Sequence, residues 1–140
     1  MKIHCAHDEL VKLKDLKPHP KNPNKHNTEQ IKRLAKVIQY QGIRRPIRVS
    51  KLSGFITSGH GLALALGKLK ERDAPVSFQE YESEEQEFAD LVADNSLQSW
   101  SELDLSSINL EVPNLGPDFD IDWLGLKDFE IEPADKYGGK

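Results

Sequence analysis

Phe55-Ile56-Thr57-Ser58-Gly59-His60-Gly61-Leu62-Ala63-Leu64-Ala65-Leu66 is an apolar run that ends in Thr-Ser-Gly-His-Gly and passes straight into leucines and alanines. That order predicts a strand, a glycine turn and a helix start. The first amides of a helix have no intrahelical partner, and the helix dipole adds partial positive charge, so an anion such as phosphate can bind there. Glycine lets a ligand come close to the backbone. Ser58, Gly59, His60 and Gly61 are therefore the candidate phosphate site. The plain alternative is a packed strand–helix junction with no ligand.

Outward from this stretch, hairpin and helix signals follow in both directions. Ile47-Arg48-Val49-Ser50 alternates as a strand, Lys51-Leu52-Ser53-Gly54 is a turn, and Phe55-Ile56-Thr57 returns. Before it, Asn27 with Gln30 forms a capping-box pattern. Ile31, Leu34, Ala35 and Ile38 make one apolar stripe, and Gly42 supplies the stop. The three prolines of Lys17 to Asn27 exclude helix and central strand, so this is a loop, with Asn22 and His26 as supporting hydrogen-bonding groups. A short strand is expected over Val11–Leu16. Residues 1–10 are expected to be a flexible end, and His4, Cys5, His7 and Asp8 lack the second ligand pair a structural zinc site needs.

Beyond the turn, Leu62–Leu69 continues as a buried helix and Ala74–Phe78 reads as a strand. Ser83 with Gln86 opens another helix, in which Phe88, Leu91, Val92 and Asn95 share a face. Asp94 and Asn95, near its end, offer hard oxygen ligands for magnesium or a ribose. Ser101–Val112 is expected to be helical up to Pro113. Phe119-Asp120-Ile121-Asp122-Trp123 alternates acid with large apolar groups, as a tail that docks on a partner or on this chain's own core. Gly138-Gly139-Lys140 has the composition of an open end.

Charge divides the chain. Residues 1–70 carry 15 Lys/Arg against 4 Asp/Glu, a surplus of 11, and residues 71–140 carry 4 against 19, a deficit of 15. The first half thus has the balance of a nucleic-acid-facing surface, with Lys32, Arg33, Lys36, Arg44 and Arg45, joined by Arg48, as DNA-contact candidates. The alternative is that the two halves attract each other. A mean hydropathy of −0.60 and the lack of any apolar run near the roughly 20 residues of a span point to a soluble protein without a membrane partner. One cysteine excludes an internal disulfide and fits a reducing cytoplasm.

The ordered set of these pieces resembles the ParB/sulfiredoxin-like family, often labelled the ParB-like nuclease domain. Its nearest variety is the phage and prophage type at the N-terminus of DNA modification methylases. The matching residues are Leu16-Lys17-Pro18-His19-Pro20-Lys21-Asn22-Pro23 with His26, Glu29-Gln30-Ile31, Gly42-Ile43, Pro46-Ile47-Arg48-Val49 and Ser58-Gly59-His60-Gly61. They continue through Ala74-Pro75-Val76, Ser83-Glu84-Glu85-Gln86, Ala93-Asp94-Asn95, Phe119-Asp120-Ile121-Asp122 and Leu124-Gly125-Leu126. The resemblance implies an α+β domain with a small mixed β-sheet packed with helices, spanning residues 1–98. An acidic helical extension, 99–140, would pack on it or lead to a further domain.

The resemblance also implies that the Gly59–Gly61 turn holds phosphates of a nucleoside triphosphate, with magnesium. Family turns end in an arginine, and here that position is Leu62, which has no donor and is expected in the core with Ala65 and Leu66. The sulfiredoxin cysteine position is His60, so that chemistry is excluded. The second family motif survives as Asp94-Asn95 without its arginine. No methyltransferase motif is present, so methyl transfer would need another domain. The expected function is a DNA-binding or targeting module with a degenerate nucleotide site. The alternatives are a nucleotide-dependent enzyme (CTP or ATP hydrolase, kinase or weak nuclease) using His60 as acid or base, and a protein-interaction module carried by the acidic tail.

Overall fold

The computed structural model describes residues 1–127; Gly138-Gly139-Lys140 lie outside the described residues. Among the described residues, four strands and four α-helices follow in the order β1 (Glu9–Lys12), α1 (Thr28–Gln41), β2 (Ile47–Ser50), β3 (Ile56–Ser58), α2 (His60–Lys68), β4 (Asp73–Gln79), α3 (Glu84–Gln98) and α4 (Leu105–Glu111). The sheet order is β1-β4-β2-β3. β4 pairs antiparallel with β1 and parallel with β2, and β2 pairs antiparallel with β3. This is the α+β fold with a small mixed sheet that the family resemblance implies.

The core lies between one face of the sheet and the α1/α2 pair. Ala35 and Ile38 of α1, Ala65 and Leu66 of α2, and Ile47, Val49, Ile56, Ala74 and Val76 of the strands are all buried in it. Ile31, Leu34 and Leu62 pack against that cluster, so the α1 stripe points inward and Leu62 joins the core as expected. Arg48 alternates with Ile47 and Val49 and points to the other face, where it meets α3.

The caps explain the helix starts. The Asn27 carboxamide accepts from the Gln30 amide at 2.7 Å, and the Ser83 hydroxyl accepts from the Gln86 amide at 3.1 Å. The reciprocal half of each capping box is rerouted: Gln30 turns to the His26 ring at 3.0 Å and Gln86 accepts from the Glu82 amide at 2.7 Å.

Five expectations are corrected. The helix expected to be buried over Leu62–Leu69 ends at Lys68 and buries only His60, Ala65 and Leu66, while Leu64 faces solvent. The first strand runs over Glu9–Lys12, and Leu13–Asp15 coils into a 3-10 turn closed by the Leu16 amide on the Leu13 carbonyl. The Ser101–Val112 helix begins only at Leu105, because the Asp104 carboxylate caps it through both the amide and the hydroxyl of Ser107. It ends at Glu111, and Pro113 sits in the first turn of a following 3-10 segment, where its missing N–H is not needed. On α3, Phe88 stays exposed while Glu87 is buried. Residues 1–10 are tied in: His4 donates its amide to Ile43, and Ile43 donates to Lys2. A Cβ on Gly42 would lie 2.7 Å from the Lys2 carbonyl, so this crossing depends on the glycine, whose φ is +78°.

Candidate functional site

Gly59 makes the junction between β3 and α2. Its φ of +98° is in the left-handed region, and a Cβ there would stand 3.2 Å from a side-chain carbon of Ile47. Only glycine fits both demands. α1, α3 and α4 each have a side chain accepting from their first turn, whereas α2 begins without one. Gly61 lets the His26 ring lie against the backbone: a Cβ there would be 3.1 Å from its Cε1.

His60 faces the proline-rich loop. Its Nε2 accepts the backbone amide of His19 at 3.0 Å, so in the neutral ring the proton sits on Nδ1. Burial, reinforced by the neighbouring His26 and His19, pushes its pKa down to about 4. A histidine held neutral with Nε2 occupied is a strut for the loop, and at neutral pH it has no proton to exchange through that atom.

The loop has a second anchor, which the sequence reading missed. His19 is buried; its Nδ1 accepts from the Lys21 amide at 3.1 Å, which leaves Nε2–H to donate to Glu87 at 2.9 Å. Glu87 also accepts from the Ser53 hydroxyl at 2.8 Å. Burial pushes the Glu87 carboxyl up, but hydrogen bonds from Ser50, Ser53 and His19 outweigh it, so the group stays below the ordinary carboxylate range. One buried carboxylate thus joins α3, the β2–β3 turn and the loop. Asn22 closes a local turn on the Asn24 amide, and Asn24 reaches Asn95 at 3.2 Å.

The Gly59 turn and the Asp94-Asn95 pair meet through one contact. The Ser58 hydroxyl donates to Asp94 at 3.0 Å, and Arg48 donates to the other oxygen of the same carboxylate at 3.2 Å. Arg48 also lies 3.7 Å from Asp90, which accepts from the Tyr81 hydroxyl at 2.6 Å. Ser58, Gly59, His60, Gly61, His26, Asn22, Asp94 and Asn95 therefore gather around the α2 start and the far half of α3. A cation at Asp94 would have to compete with Arg48. Among the described residues, no group of three or more His, Cys, Asp or Glu is placed to hold a metal ion. A cleft of about 260 Å³ beside His26, lined also by Ile31, Leu64 and Lys68, is smaller than the roughly 300–1,000 Å³ of enclosing ligand pockets.

The basic candidates divide. Lys32, Arg44 and Arg45 are exposed. Arg33 and Lys36 are engaged by residues 120–126: Lys36 bonds Asp122 at 2.7 Å, and Arg33 donates to the Leu126 carbonyl at 2.6 Å. The hydrogen bond to Lys36 holds the Asp122 carboxyl below the usual range. Leu97, Trp100, Leu103 and Leu110 are exposed, Trp100 at 82%. No helix among the described residues is long and apolar enough to cross a membrane.

Three comparisons bear on this arrangement. No family model matches the chain. The ParB-like nuclease domain-containing protein YnaK of Escherichia coli (strain K12) is 34% identical over 64 residues, which are 46% of this chain and 72% of YnaK. The C-terminally truncated chromosome-partitioning protein ParB from Caulobacter crescentus, solved with CTP-gamma-S, superposes with a TM-score of 0.69 over 85% of this chain and 71% of its own, at 17% identity. A Pnob8-like ParB-N domain gives 0.52 over 76% of this chain and 46% of its own, at 13% identity. At such identities the two structural likenesses speak for the fold alone.

Proposed function

Since the chain belongs to the ParB-like nuclease domain family, we propose that it is a DNA-associated binding module, the targeting part of a phage-type DNA modification methylase, with a weakened nucleotide-phosphate site at the start of α2. In this reading residues 1–98 form the ParB-like unit and residues 99–140 an appended acidic extension. The module works in the cytoplasm.

The contact that carries the nucleotide part is Ser58–Asp94. It sets the uncapped amides of α2 beside the only acid–amide pair that the family resemblance assigns to magnesium. The Caulobacter ParB that shares this fold was solved with CTP-gamma-S, and a nucleoside triphosphate with magnesium is the ligand proposed here. Its phosphates would be cradled by the backbone amides of the first α2 turn, and Arg48 would have to release Asp94 for a metal to bind there. Leu62, packed against the core, supplies no charge. Loss of one charge-assisted contact of about 1.5–3 kcal/mol weakens binding about ten- to a hundredfold. Catalysis finds no support in His60, which is neutral and already bonded.

Calorimetry with CTP and with ATP, each with magnesium, tests the site. Weak saturable heat is expected, and a flat titration at millimolar nucleotide would remove this part. DNA binding is tested separately by its salt dependence, which must be steep if several phosphates are contacted. A second reading, as a protein-interaction module, is favoured by the exposed Leu97, Trp100, Leu103 and Leu110. It predicts loss of partner binding on Trp100→Ala with DNA binding unchanged.

A further inference from the structure

Arg33, Lys36, Val37 and Tyr40 lie at i, i+3, i+4 and i+7 of α1 and form one outer face. Residues 119–126 cover it. Asp122 lies 2.7 Å from Lys36 and 3.6 Å from Arg33, and Asp120 lies 3.6 Å from Lys36. The Trp123 indole stacks on the Tyr40 ring with centroids 4.1 Å apart and planes 5° from parallel. Phe119 closes the edge of both rings. Leu126 is buried, and a Cβ on Gly125 would be 3.3 Å from Val37.

This cover reproduces the two contacts by which proteins hold a single strand: anions on a row of cations, and a flat ring stacked on an aromatic side chain. The carboxylates of Asp120 and Asp122 stand where phosphates would, and the indole stands where a base would. Lys32, in the same helix, and Arg44 and Arg45, just after it, are exposed cations that a polyanion could also meet. We propose that residues 119–126 are an internal stand-in for single-stranded nucleic acid, which occupies the Arg33/Lys36/Tyr40 face until a strand displaces it. The proposal rests on the reading of the chain as DNA-associated and adds where the strand binds and what restrains it.

The test uses the full chain and a labelled oligothymidylate at low salt. Asp120→Asn, Asp122→Asn and Trp123→Ala together, with Leu126 kept, should tighten binding about tenfold, the worth of one stacked base and its ion pairs. Glu84→Gln with Glu85→Gln, on exposed positions of α3, makes the same charge change away from the face and should shift binding less than about twofold. Adding Tyr40→Ala should abolish most of the gain. Equal binding by the wild type and the cover variant overturns the inference but leaves the DNA reading standing. No binding of the oligothymidylate by any variant overturns the inference, and the DNA reading falls with it only when duplex DNA is not bound either. Tighter binding of duplex than of single strand by the opened variant also overturns it, because stacking on Tyr40 needs an unpaired base.

A second measurement does not depend on how well the triple variant folds. The chain has two tryptophans, so Trp100→Phe leaves Trp123 as the sole reporter. Saturation with the oligonucleotide should shift Trp123 emission towards that of exposed indole. Binding without any change at Trp123 overturns the proposal.

Discussion

The backbone amide of His19 donates to Nε2 of His60 across 41 residues of sequence, so the proline-rich loop hangs on the first residue of the glycine-turn helix. The bond exists only while that nitrogen keeps its lone pair. Protonation of His60 removes the acceptor and puts a buried cation beside two other histidines.

The pH dependence follows. The folded pKa of about 4 lies below the ordinary histidine value of 6.5, so between these values the unfolded chain binds more protons and stability rises with pH. The contribution is fully present above pH 6.5 and falls as pH drops towards 4, by about 2 kcal/mol between pH 7 and pH 5. His60→Gln keeps an acceptor for the His19 amide and removes the titration. Thermal melts at pH 7 and pH 5 should differ strongly for the wild type and much less for the variant. Parallel profiles would refute the assignment.

Glu87 is the second acid-sensitive joint. Its folded pKa lies below the ordinary carboxylate value, so its contribution is present above that range and is lost as pH falls through the folded value. Glu87→Ala leaves His19 and Ser53 donors unpaired inside the protein and should cost about 3 kcal/mol. Hydrogen exchange at the Lys21 amide, which bonds His19 Nδ1, should quicken beyond what global destabilisation predicts.

Gly59→Ala combines a left-handed φ with a Cβ placed 3.2 Å from Ile47. A loss of about 1–3 kcal/mol is expected from strain and contact together, measured by denaturant titration. A neutral result would mean that the junction relaxes to a different turn.

Leu62→Arg supplies the charge that the family resemblance implies at this position, and so tests the proposed phosphate site. Nucleotide affinity should rise about ten- to a hundredfold in calorimetry. Stability should fall, because Leu62 packs against the core. No gain in affinity would place the phosphates away from the α2 start.

The hairpin and the helix starts were legible because their causes are local: Asn27 and Ser83 announce caps, and Ile31, Leu34, Ala35 and Ile38 announce a face. Leu62 in the core was legible for the same reason. Glu87 was not. It sits among Glu84 and Glu85 in a helix first turn that also favours solvated acids, and its partner His19 is 68 residues away. The first strand was misplaced because Leu13 and Leu16 alternate only loosely, and a 3-10 turn satisfies the same spacing. The docking of residues 119–126 on α1 had left a trace: the opposite charge surpluses of the two halves and the alternation of acid with aromatic groups. Which basic residues those acids would choose depends on packing that one sequence does not display.

The strand order has a consequence for how the chain is made. β4 is the strand between β1 and β2, yet it follows both in sequence. Synthesis delivers the two outer partners first and the one that joins them last. Until residues 73–79 emerge, β1 has no neighbour in the sheet, and the buried side chains of β2 have only a three-residue partner in β3. Long-range pairings of this kind are slow to form and expose apolar surface meanwhile. A nascent chain that has released β2 and β3 but not yet residues 73–79 therefore exposes Ile47, Val49 and Ile56 to chaperones, and one that has released β4 as well can close its core.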